Sequence, residues 1–157
     1  MRYLMIDRVL EWTPFERVVA AKNVSLESDV LEHHFPGFPL FPGALTAEAM
    51  AQAAGYLIMR SLLEEKGVQH AAALSVIERL HLRRPVYPGD QLRIAIEVTD
   101  WRLATVRVTA HATVDGHSTA RGQLLLAHRP VEDTVPAETL RFAMQWMRNL
   151  QRPTGLE

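Results

Sequence analysis

No cysteine occurs anywhere in the 157 residues. Disulfide scaffolds, thiolate zinc sites and cysteine nucleophiles are therefore excluded, while a reducing compartment is allowed. An excess of either charge is lacking too: 17 Lys and Arg stand against 18 Asp and Glu, for a formal net charge of -1. That balance leaves no electrostatic footprint for nucleic acid or an anionic membrane, and contact with neither is expected. Long apolar runs are missing. The opening apolar stretch is broken by Asp7 and Arg8, too early for a signal-peptide core. Nothing approaches the roughly 20 apolar residues that a bilayer-spanning helix needs. There is no internal repeat and no low-complexity tract. What remains, with 48% apolar and 22% charged residues, is the composition of a single soluble domain, expected in the cytoplasm.

The residues present organise as strands around one long helix. Segments 3–10 and 17–24 are rich in Val, Leu and Ile and are separated by turn chemistry at Thr13-Pro14, so both are predicted strands. Between Pro36 and Gly43, three prolines and two glycines in eight residues forbid both a helix and a central strand. A stiff loop of specified shape is expected there. Residues 44–66 follow with good helix formers, no proline, and Gly67 as the stop. The apolar positions of this segment spread over more than one face, which predicts a buried helix with only Glu64-Glu65-Lys66 wet.

Residues 74–82 read as a strand ending near Tyr87-Pro88-Gly89-Asp90, a type II turn. In 91–99 and 105–114 apolar and polar residues alternate with period two, and Asp115-Gly116 signals a hairpin into 118–127. A second helix is expected over 137–150, its apolar stripe (Trp146 included) packing on the sheet or a dimer mate. Long antiparallel strands plus one buried helix bury each other if the sheet curls around the helix. The predicted class is α+β with a hotdog architecture, residues 1–130 forming that domain and 131–157 a C-terminal helical extension.

The chemistry concentrates between residues 32 and 52. A histidine, His34, precedes the rigid loop; a helix mouth with unpartnered N–H groups follows at Gly43; a carboxylate, Glu48, lies inside the apolar helix. A carboxylate is costly in such surroundings unless it is paired, protonated or used. The first amides of a helix sit at its positive pole and suit a developing oxyanion. Together these parts suit proton removal beside a carbonyl, with a second group to deliver a proton elsewhere. Remaining histidines, His33, His70, His81, His111, His117 and His128, show no metal-ligand spacing.

The string His34-Phe35-Pro36-Gly37-x-Pro39-x-x-Pro42-Gly43-x-x-x-x-Glu48-Ala49-Met50-Ala51-Gln52 resembles the signature of the 3-hydroxyacyl-acyl-carrier-protein dehydratases of FabZ type. Asp7-Arg8-Val9, Lys22-Asn23-Val24-Ser25 and Arg84-Pro85-Val86-x-Pro88-Gly89-Asp90-Gln91 resemble further family segments in matching order, so the likeness spans about residues 3 to 128. It implies dehydration of (3R)-3-hydroxyacyl thioesters on acyl carrier protein to trans-2-enoyl thioesters, in fatty acid synthesis or a related specialised acyl or polyketide pathway.

By the same resemblance His34 is the base, Glu48 the acid, Gly43 the oxyanion donor, and Gln52 a substrate-side residue orienting Glu48 from one turn away. The family's His faces the acid of another protomer, which makes a homodimer the minimum unit, open to assembly into a trimer of dimers. No metal or organic cofactor is implied, because the phosphopantetheine arm belongs to the carrier. A hotdog acyl thioesterase and a non-catalytic acyl-binding subunit are the alternatives.

Where the family has glycine before its histidine this chain has His33, with backbone strain the expected consequence. His81 and Leu82 replace a basic residue and an aromatic. Arg83 and Arg84 are candidates for docking an acidic carrier.

Overall fold

The computed structural model describes residues 3–131 and 137–151. Six antiparallel strands form one sheet: β1 (Arg8–Thr13), β2 (Arg17–Asn23), β3 (His70–Leu82), β4 (Gln91–Trp101), β5 (Thr105–Val114) and β6 (His117–Pro130), in the order β1-β2-β4-β5-β6-β3. Three helices accompany them: the single turn α1 (Asp29–His33), the long α2 (Gly43–Lys66) and the terminal α3 (Ala137–Asn149). At 1.5 Å per residue, the 24 residues of α2 span about 36 Å, matched by the strands that curve around it.

The packing follows from the patterns. In β5, Val106, Val108, Ala110 and Ala112 are buried, while the residues between them are not. Leu92, Ile94 and Ile96 of β4 do the same. Against them α2 buries Ala49, Met50, Ala53, Ala54, Leu57 and Ile58, whose small and branched side chains let helix and sheet approach closely. Its last turn is exposed, and Gly67 ends it at φ +65°, donating its N–H to the Leu63 carbonyl. Asp90 donates back to Tyr87 across the Pro88-Gly89 turn. Asp115 and Gly116 both have positive φ, as the β5–β6 hairpin requires. The arrangement is a hotdog fold.

Several element bounds differ from the sequence expectation. The first strand begins at Arg8 instead of residue 3 and runs on to Thr13. Residues 3–6 instead lie against α2, where Met5 donates its N–H to Gln52 Oε1 at 2.8 Å and Met5 and Ile6 are buried, and only at Asp7 does the backbone bond β2, its N–H donating to the Ala21 carbonyl. A side chain on a distant helix thus replaces the sheet ladder. β3 starts four residues earlier than expected, at His70, because β6 continues to Pro130 and pairs with it. α1 was not anticipated; one turn is too short to show a period. His33 ends that turn without positive φ, so the expected strain is not there: among described non-glycine residues only Phe15, Arg79 and Asp115 have positive φ.

The two sheet edges differ. Beside β1, the Val9 N–H donates to the carbonyl of Leu150 at the end of α3. Among the described strands β3 pairs only with β6, and its exposed residues include Val76 and Ile77. α3 packs beside α2, with Met144 and Met147 near Leu63, and Trp146 reaches residues of β3 and β6; beyond its end Leu150 is buried, and Gln151 Nε2 donates to the Tyr56 hydroxyl at 2.6 Å.

Candidate active site

His34 follows α1 directly and is half-buried. Its Nδ1 lies 2.7 Å from the Leu40 carbonyl oxygen, across the proline-rich loop. A carbonyl only accepts, so Nδ1 carries the hydrogen and Nε2 of the neutral ring keeps its lone pair. The loop is closed on itself by reciprocal bonds between Phe35 and Phe38, and the Leu40 N–H returns to the His34 carbonyl. Three prolines and these bonds hold the imidazole in one orientation.

The same cavity, about 280 Å³, is lined by Gly43, Thr46, Leu82, Arg83, Thr119 and the His34 ring. α2 opens into it. Pro42 precedes the helix and no side chain caps it, and no acidic residue occupies the first turn, so the leading amides and the positive helix pole face the cavity. A Cβ on Gly43 would lie 2.2 Å from Leu82 Cδ1; glycine here leaves room for that side chain against the helix start.

Glu48 stands farther along α2 and is half-buried rather than sealed in the core. It lines a second cavity, also about 280 Å³, with Leu4, Gln52, Gly55, Leu74 and Trp146. Gln52 Nε2 donates to Glu48 Oε1 at 2.8 Å and to the Tyr3 carbonyl at 2.8 Å, while Gln52 Oε1 accepts from Met5 N–H. The backbone amide of Met5 can only donate, which fixes which end of the Gln52 amide faces Glu48. Glu48 Oε2 is thereby left for a proton.

Sequence-predicted residues therefore fall into two groups: His34 with Gly43, and Glu48 with Gln52. Within one chain the two cavities share no lining residue. Both touch β3, the first through Leu82 and the second through Ala72, Ala73 and Leu74. Leu40, which orients His34, and the residues 3–5 that clamp Gln52 were not foreseen; backbone partners leave no trace in side-chain spacing. Trp146, expected as part of the α3 stripe, lines the Glu48 cavity. His81 is exposed and lies apart from the His34 cavity, with Arg79 and Arg121. Arg83 and Arg84 are exposed at the rim of the His34 cavity. Arg60 is engaged structurally, paired with Glu64 at 2.7 Å and stacked over Trp12.

Among the described residues no group of three or more His, Asp or Glu side chains is placed to hold a metal ion. No helix among them is long and apolar enough to cross a membrane.

A family model described as a FabA-like domain matches residues 1–123. The 3-hydroxyacyl-acyl-carrier-protein dehydratase FabZ of Hydrogenobaculum sp. is 39% identical over 129 residues, covering 82% of this chain and 86% of that protein. The FabZ of Bordetella petrii is 39% identical over 135 residues, with 82% and 87% covered. Among solved structures, the dehydratase heterocomplex ApeI:P from Xenorhabdus doucetiae superposes with a TM-score of 0.70 at 18% identity, covering 90% of this chain and 95% of that one. A Streptococcus mutans protein solved bound to acetyl CoA gives 0.60 at 17% identity, over 78% and 88% of the two chains. These two likenesses concern the fold; the sequence matches place the chain itself. It belongs to the FabA-like family, alongside the FabZ dehydratases.

Proposed function

We propose that the protein is a hydro-lyase that removes water from 3-hydroxyacyl thioesters carried on acyl carrier protein, and that its working site is shared between two protomers. His34 Nε2 of one protomer takes the proton from the carbon next to the thioester carbonyl. As that bond breaks, its electron pair moves toward the carbonyl, and the Gly43 N–H at the positive pole of α2 receives the developing charge on oxygen. The enolate collapses to the 2-enoyl thioester, the bond from C3 to the hydroxyl breaks, and the Glu48 carboxyl proton goes to the departing oxygen as water leaves. His34 then holds the proton it took and Glu48 is anionic, so one proton passes back before the next turnover.

The observation that carries this reading is the division of the site. An oriented base and an uncapped helix mouth sit in one cavity, an oriented carboxyl in another, and β3 reaches both. β3 is an edge strand with exposed Val76 and Ile77, an arrangement prone to pair with a further strand. Antiparallel pairing of two copies about Ile77 would set Ala72–Leu74 of one protomer opposite Leu80–Leu82 of its partner. The Glu48 cavity would then face the His34 cavity across the dyad. An isologous dimer contains two such composite sites. Exposed Arg83 and Arg84 at the rim suit the approach of an acidic carrier.

The test is incubation of 3-hydroxyacyl and 2-enoyl carrier-protein thioesters with wild type, His34→Ala and Glu48→Gln. Reversible hydration by wild type is expected, with losses in kcat/KM of about 10² to 10⁴ in each variant. Release of free thiol in place of an enoyl product would replace the lyase with a thioesterase. Undiminished turnover by either variant would remove that residue from the mechanism.

A further inference from the structure

The cavity around Glu48 has a neighbour. A cleft of about 580 Å³ lies between the N-terminal segment, the β2–β4 end of the sheet and α3. Two residues line both spaces, Leu4 and Trp146. We propose that Trp146, with Leu4 beside it, is the partition that ends the acyl-binding cavity and so sets the longest chain the enzyme accepts. This assignment rests on the dehydratase reading only in taking the Glu48 cavity as the place where the acyl chain lies.

The walls of that cavity suit an alkyl chain. Ala51, Gly55, Ala72 and Ala73 are small, and Met59 and Leu126 are apolar. Gly55 is informative because glycine inside a helix is unfavourable relative to alanine. A Cβ there would meet nothing nearer than the Ala72 Cβ at 4.0 Å, so packing of the chain on itself does not demand glycine. The space it leaves belongs to the cavity. Trp146 closes this space from the side of α3, half-buried and packed against the core.

The partition is fastened at several points. Val9 N–H reaches the Leu150 carbonyl at 3.0 Å, Gln151 Nε2 reaches the Tyr56 hydroxyl, and Gln69 Nε2 lies 3.6 Å from Met144 Sδ. α3 also begins beyond residue 123, where the FabA-like match ends, so the wall is supplied from outside the matched region. Shortening the indole joins the 280 Å³ cavity to the 580 Å³ cleft.

The experiment uses the full chain, as wild type, Trp146→Ala and Trp146→Leu, the leucine variant retaining an apolar side chain should alanine weaken the docking of α3. Each is given 3-hydroxyacyl carrier-protein thioesters from four to fourteen carbons long, and binding of non-reacting saturated acyl pantetheine thioesters of the same lengths is measured in parallel. In wild type, kcat/KM and affinity should rise with length and then break sharply. In both variants the break should move to longer chains, with roughly fourfold gained for each further methylene taken up. The same break point in wild type and a folded variant, in both assays, would overturn the proposal. Absence of turnover throughout, with the break in binding still shifted, would sustain the partition and overturn the dehydratase reading instead.

Discussion

Gln52 holds Glu48 from one helical turn away, its Nε2 donating to Oε1 at 2.8 Å while its own oxygen is occupied by the Met5 N–H. The carboxyl is therefore aimed by a residue that is itself aimed by the N-terminal backbone. Gln52→Glu keeps an acceptor for Met5 but loses the donor to Glu48 and sets a second carboxyl beside it. Its kcat should fall on the order of 10²-fold from misorientation, with KM little changed. Gln52→Ala should in addition lower stability by about 1–3 kcal/mol, since Met5 N–H and Tyr3 C=O lose their partner. Steady-state kinetics and denaturant melts separate the two effects.

Tyr56 gives an alkaline limit to stability. Its side chain is fully buried, and burial pushes the phenol up to about 12, only partly opposed by the Arg60 guanidinium, which donates to its hydroxyl. The folded state therefore keeps this proton when the unfolded chain, at an ordinary value of 10.0, has lost it. Stability is whole below pH 10 and should decline as pH rises from 10 toward 12, by on the order of 2 kcal/mol. Tyr56→Phe should flatten that decline in thermal melts across the same window, offset by the loss of its bonds to Arg60 and Gln151.

His128 acts at the opposite end. It is buried in β6 with its Nδ1 2.9 Å from His70 Nδ1, and desolvation holds it below the usual imidazole value of 6.5, with a smaller contribution from His70 in the same direction. A proton on both facing nitrogens would set two N–H groups against each other. Since the unfolded chain binds the proton more readily, stability is present above pH 6.5 and is lost as pH falls below it. A melt series from neutral to acid pH should show Tm dropping in wild type and dropping less in His128→Leu.

The proposed dimer pairs along the edge of β3. Ile77→Lys or Val76→Lys places a charge on each copy of an exposed apolar pair at the proposed two-fold. Light scattering should report monomers, circular dichroism an intact fold, and the dehydration assay a loss comparable to His34→Ala. A variant that is monomeric and still fully active would show that one chain suffices.

Much of this arrangement was legible in the residues, for local reasons. Period-two alternation in β4 and β5 survived folding because each strand buries one face, and α2 begins where proline and glycine stop forbidding a helix. His34, Gly43, Glu48 and Gln52 are close in sequence, so their spacing was readable. What escaped depends on contacts distant along the chain. Residues 3–5 have the composition of a strand, and only Gln52, 47 positions after Met5, turns them away from the sheet. The Leu40 carbonyl that orients His34 is backbone, which side-chain identity does not advertise. Trp146 stands 98 residues from Glu48 in number (146 less 48), and nothing near it in sequence signals that it walls the same cavity.

The sharing of one site by two chains is tested most directly by mixing inactive variants. His34→Ala and Glu48→Gln proteins are unfolded together, refolded and assayed. Random pairing makes half of the dimers mixed, and each mixed dimer holds one site with both native groups, so about a quarter of wild-type activity should return. Activity that stays at the level of the separate variants, in a mixture shown by mass spectrometry to contain the mixed dimer, would place His34 and Glu48 in a single protomer and contradict the shared site.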